Sequence, residues 1–149
     1  AYRIATQEGN FFWIRKDINT GNMDFLLYTV PLSNIHKNDS TTVGDIIKMR
    51  DSIGKAHIQN SVEGAYMITE EAYAPYVFDT TIDGKATIET KGLWDMKNAF
   101  MSGPFINYAI EDKANNRYVI LEGYVFAPSV EKRDHVFELE AILESVKIK

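Results

Sequence analysis

Two apolar runs open the chain, Asn10 to Lys16 (NFFWIRK) and Met23 to Val30 (MDFLLYTV), split by the polar stretch Asp17 to Asn22. Runs of this length, rich in Phe, Trp, Ile and Leu and bounded by Asn, Gly and Asp, predict an antiparallel hairpin with a loop of several residues. In the second run both parities are apolar, Met23, Phe25 and Leu27 against Leu26, Tyr28 and Val30. That is the pattern of an inner strand covered on both faces. Pro31 ends its ladder.

Ser33 to Thr41 is polar and reads as a loop. Thr42, with Asp45 three residues on, resembles a capping box and predicts a helix over Val43 to His57. Its apolar positions Val43, Ile46, Ile47, Met49, Ile53 and Ala56 follow spacings of three and four, so one side lies on the sheet. Gly54 costs about 1 kcal/mol relative to Ala in a helix, and the last turn is expected to fray or stop near it.

Beyond Ile58 the pattern becomes extended: Ala65 to Thr69, Tyr76 to Ile82 and Lys85 to Lys91, with Asp83-Gly84 as a hairpin turn. A two-residue loop would put Tyr76, Phe78 and Ile82 on one face with Lys85, Thr87, Glu89 and Lys91. This is a poor match for one buried side, so a bulge or longer loop is expected. The glycines and proline of Lys91-Gly92-Leu93-Trp94 and Met101-Ser102-Gly103-Pro104-Phe105 are expected to mark hairpin edges. Phe105 to Glu111 and Arg117 to Phe126 predict two more strands, the second apolar on both faces apart from Glu122 and therefore central. A second helix is predicted after Pro128, capped by Ser129 with Glu131 in its first turn. Its stripe is Val136, Leu139, Leu143 and Val146, widened by Phe137 and Ile142.

The order β-β-α-β-β-β-β-β-α predicts one α+β domain over residues 1–149. Its antiparallel sheet of about six or seven strands carries two amphipathic helices packed on one face. At 149 residues the chain can bury a core without disulfides or metals. A net charge of −5 argues against a nucleic-acid partner, which needs clustered Lys and Arg. The absence of cysteine removes thiol chemistry, and no apolar stretch reaches the roughly 20 residues of a membrane span. The N-terminus shows no basic region followed by an apolar core, so a signal peptide is expected to be removed or never present.

Candidate chemistry is sparse. His36, His57 and His135 have no ligand-type spacing, no serine sits in a nucleophile motif, and no glycine set opens a phosphate loop, so neither a metal nor a cofactor is expected. Arg50 lies on the inward side of the first helix, where its guanidinium needs a structural acid or a ligand anion. Arg133 faces the same choice in the second helix. Glu122 interrupts an apolar strand, as a solvent-facing residue, an ion-pair partner or a proton-transfer group. The aromatics, Trp13 and Trp94 among them, are mostly core, and any left exposed can stack on a sugar or anchor a peptide. The candidate ligand-binding residues are thus Arg50, Glu122, Trp94 and Arg133, with no catalytic residue assigned.

Arg50-Asp51-Ser52, Tyr66 to Thr69, Gly92-Leu93-Trp94, Met101 to Phe105, Glu122 to Pro128, Lys132-Arg133 and Leu139 to Leu143 together resemble domain-of-unknown-function (DUF) family 4837. The resemblance spans most of the chain. It implies the C-terminal part of a longer Bacteroidetes cell-envelope lipoprotein, extracytoplasmic and held to the membrane only by a lipid anchor outside this chain. Ser102 departs from the family's Gly-Gly before Pro-Phe, so a tight backbone feature there is expected to be only partly kept. On these grounds the chain is expected to be a non-catalytic binding or assembly module for an envelope protein, a glycan or a small ligand. The alternative is a hydrolase-type envelope enzyme using a carboxylate and an arginine in a cleft.

Overall fold

The computed structural model of the protein describes residues 2–19, 21–59, 63–126 and 133–148, with Arg133 described in its backbone only. In chain order the elements are β1 (Tyr2–Glu8), β2 (Phe11–Ile18), β3 (Gly21–Pro31), α1 (Thr42–His57), β4 (Met67–Thr69), β5 (Tyr76–Ile82), β6 (Lys85–Met96), β7 (Ser102–Asp112), β8 (Arg117–Phe126) and α2 (Arg133–Glu144). Every pairing is antiparallel, in the order β1-β2-β3-β8-β7-β6-β4, and β5 joins the same outer edge of β6 as β4. The α+β class and the central place of β8 follow the reading of the sequence.

Several details differ. A strand precedes the first predicted one, because β1 carries little apolar surface of its own and is held by pairing with β2. The β2–β3 ladder runs on to Ile18 opposite Gly21, closing the loop expected to take several residues. The Asp83-Gly84 turn does hold the two-residue register, Ile82 opposite Lys85, with both turn residues at positive φ (53° and 70°) as a type I′ turn requires. The mismatch of faces is resolved by leaving Tyr76 and Phe78 exposed. Gly92 and Gly103-Pro104 are not hairpin edges: Gly92 pairs with Phe105, Leu93 with Pro104 and Trp94 with Gly103 inside the β6–β7 ladder.

The helices lie on opposite faces, not on one. Along β8, Ile120, Glu122 and Tyr124 face α1, whereas Val119, Leu121 and Val125 share a core with Leu139 and Leu143 of α2. A strand apolar on both parities needs cover on both sides, and one helix supplies each. Leu139 and Leu143 are buried, each worth about 1.5–3 kcal/mol. Phe137 and Ile142 point outward and do not widen the stripe. The predicted Ser129 cap after Pro128 lies outside the described residues.

The capping box at α1 does not form. Thr42 donates its hydroxyl to the His36 carbonyl, and the Asp45 carboxylate instead accepts the His36 backbone N–H at 2.9 Å and bonds its ring Nδ1 at 2.8 Å. That backbone bond holds Asp45 below the usual carboxylate range. The Lys37 ammonium does the same to Glu111, and Asn115 and Arg117 to Asp112. Each depressed carboxyl contributes stability above its unfolded value and loses it as pH falls through its folded one. Urea midpoints should therefore drop below about pH 4, with a shallower fall in Glu111→Gln. Midpoints unchanged between pH 6 and pH 3 would remove these contacts from the stability of the fold.

Candidate functional site

On the α1 face, Arg50 and Glu122 meet in a bidentate pair. Arg50 Nε donates to Glu122 Oε1 at 2.6 Å and Nη2 to Oε2 at 2.8 Å. Both side chains are 2% exposed. Helical spacing turns Arg50 inward from α1, and the strand period puts Glu122 on the same face as Ile120 and Tyr124. The rest of the shell is filled. Asn107 Nδ2 donates to Oε1 at 2.9 Å, Arg50 Nη1 donates to the Thr69 hydroxyl, and Thr69 donates to Asp51 at 2.9 Å. The guanidinium carbon sits 3.5 Å from the centre of the Phe105 ring. With three hydrogen bonds accepted by Glu122 and both side chains closed off from solvent, the pair is the ion-pair solution to a buried charge.

Beyond the C-terminal end of α1 the described residues leave a groove of about 290 Å³ over the sheet. Trp13, Trp94, Tyr124 and Phe126 supply aromatic walls, and Met67, Met96 and Met101 supply thioethers. Trp94 is itself buried, its Nε1 donating to the Val125 carbonyl at 3.0 Å and its ring edge-on to Tyr124. Gly103 makes this possible: a Cβ there would lie 2.0 Å from the Val125 oxygen and 2.9 Å from Trp94 Nε1. The tight feature at this motif therefore belongs to Gly103 and is kept, while Ser102 is exposed.

One wall of the groove is polar. Arg15 Nε and Trp13 Nε1 both donate to Asp24 Oδ1, at 2.8 and 2.7 Å, and the Arg15 guanidinium lies 5.1 Å from the centre of the Trp13 ring. Asp24 is fully buried, and burial pushes its carboxyl up despite the opposing pull of Arg15. Its Oδ2 has no hydrogen-bond partner among the described residues. Of the four residues predicted from sequence, Arg50 and Glu122 are brought together and Trp94 lines the neighbouring groove. The Arg133 side chain lies outside the described residues. Arg15 and Asp24 are not among the residues the sequence points to, and Trp13 is singled out there only as one of the aromatics. Asp24 interrupts an apolar strand as Glu122 does, and that was the available signal.

Elsewhere, His57 stacks on Phe11 with centroids 4.1 Å apart, and Glu89, Glu140 and Glu144 bring carboxylate oxygens within 4.8 Å of one another. Lys91 bonds Glu140 and the Tyr108 hydroxyl donates to Glu144, so this cluster is partly answered by its own neighbours. No described helix is long and apolar enough to cross a membrane.

An eight-stranded antiparallel sheet with a helix on each face, a sealed ion pair and an aromatic groove beside it defines an α+β domain with a preformed concave site. The chain belongs to the family described as domain of unknown function (DUF4837), which matches residues 1–145. No curated protein and no solved structure matches it significantly.

Proposed function

We propose that this chain is a non-catalytic binding module of a bacterial cell-envelope lipoprotein, the C-terminal part of a longer protein anchored by lipid outside this sequence. Its ligand sits in the groove past the end of α1. The observation that carries this reading is the groove's composition. Four aromatic rings and three thioethers line it beside Arg15, whose charge is balanced by Asp24 buried behind the wall. Such a surface favours a flat, uncharged group with hydrogen bonds at its edge, a sugar ring or an aromatic side chain. Methionines let the walls repack around it. The hydrolase-type alternative built on Glu122 and Arg50 loses support, because the two side chains are buried against each other and not open to a cleft.

Titration with N-acetylglucosamine oligomers and with N-acetyltryptophanamide tests the reading by amide shifts and tryptophan fluorescence. Shifts clustered on Trp13, Asn22, Trp94 and Phe126 are expected, with a loss of about tenfold or more in affinity for Trp13→Ala. Shifts absent or scattered over the α2 face with both probe types would overturn it.

A further inference from the structure

The two borders of the sheet are built differently. At β1 the ladder is broken by an irregularity between Ile4 and Thr6, and Arg3 pairs with Asp17. Bulges and charges of this kind discourage strand addition. At β5 the register runs unbroken from Tyr76 opposite Lys91 to Ile82 opposite Lys85. In a two-residue hairpin the closing pair is hydrogen-bonded and the pairs then alternate, so Ile82, Thr80, Phe78 and Tyr76 direct their backbone groups to β6. Val77, Asp79 and Thr81 direct theirs outward. Among the described residues no backbone group bonds to them.

Side chains are arranged along the same border. Tyr76 and Phe78 are 71% and 48% exposed, stacked on each other with centroids 6.4 Å apart. Between β5 and the start of α1 lies a cleft of about 280 Å³, lined by Thr42, Val43, Val77, Phe78 and Ile88 together with Asn38, Asp39 and Asp79. Neither aspartate forms an ion pair among the described residues, and Lys37, whose charge reaches Asp79, is itself held by Glu111 at 2.7 Å.

We propose that β5 accepts an extended, basic segment of a partner protein as a ninth strand, lying between β5 and the start of α1. Main-chain bonds to Val77, Asp79 and Thr81 supply the docking. Alternate side chains supply selectivity: apolar or aromatic residues beside Phe78 and Tyr76, a small apolar residue beside Val77, and Lys or Arg beside Asp79. Among the described residues Asp79 and Asp39 are left without an ion pair, which selects a cationic segment over the acidic one that a second copy would offer in the Asp79-to-Asp79 register. This inference rests on the binding-module reading but uses a surface separate from the aromatic groove.

The probe is the blocked hexapeptide Thr-Val-Lys-Phe-Val-Tyr, followed by amide exchange and amide shifts on the intact chain. In the free protein the Val77, Asp79 and Thr81 amides should exchange fast, and saturating peptide should slow them about tenfold or more while the groove residues Trp13 and Trp94 stay unmoved. Glu in place of the peptide's Lys should weaken binding about tenfold, and Asp79→Lys should restore the Glu peptide. Asp79→Pro, which removes an outward N–H without touching the bonds to β6, should abolish the protection. Three results would overturn the proposal: exchange unchanged at saturating peptide, equal binding of the Lys and Glu peptides, or a free protein that sediments as a dimer with these amides already protected. The last would make the occupant a second copy. Failure here with groove binding intact leaves the module reading standing, and the reverse result separates the two as cleanly.

Discussion

Arg50→Met is expected to lower the stability of the fold by about 3–5 kcal/mol, read as a drop in the urea midpoint. The loss arises less from the missing attraction than from what remains. Glu122 would be left without its counter-charge among Phe105, Ile120 and Tyr124, with Asn107 still donating to it. Glu122→Leu should cost a comparable amount by stranding the guanidinium. The double variant Arg50→Met/Glu122→Leu removes both charges and should recover most of the loss, since apolar groups of similar volume often replace a buried pair without penalty. If the pair is structural, ligand binding in the groove survives in the double variant. A double variant less stable than either single one would contradict this account and return attention to a functional role for the two charges.

Gly54→Ala is the second large effect, and its sign is the point of interest. Helix propensity alone assigns alanine a gain of about 1 kcal/mol in α1. In the fold, a Cβ at Gly54 would lie 2.0 Å from the Met67 carbonyl oxygen and 2.9 Å from its carbon. Both atoms are backbone in β4, tied to Ile58 through the Met67 N–H to Ile58 C=O bond of 2.9 Å, so they cannot rotate away as a side chain would. Overpacking of this kind costs about 1–3 kcal/mol, and a net loss is expected. A higher urea midpoint in Gly54→Ala would mean that α1 does not approach β4 this closely.

Gly54 also illustrates how far the sequence could be read. Local chemistry identified the residue and its cost in a helix, yet the helix continues to His57 because the glycine serves a contact with β4, thirteen residues on. Period and turn residues located α1, β5 to β8 and the Asp83-Gly84 turn, since those signals are carried by neighbours. Arg50 and Glu122 could each be singled out as charges in apolar settings. Their partnership could not, because it depends on α1 crossing β8, and the same is true of Arg15, Asp24 and Trp94 around one groove. The two faces of β3 and β8 were legible as doubly apolar, and a helix on each side was the conclusion those strands already required.

The β3–β8 ladder joins residues as distant in sequence as Asn22 and Phe126, whereas β1 to β3 on one side and β5 to β8 on the other are meanders of neighbours. The molecule is thus two locally closed pieces zipped along one seam, and the entropy of closing the longest loop in the sheet falls on that seam alone. Arg50 finds its partners on one side of that seam, Glu122 on β8, Phe105 on β7 and Thr69 on β4, so the sealed ion pair braces the second piece from within and does not depend on the first having docked.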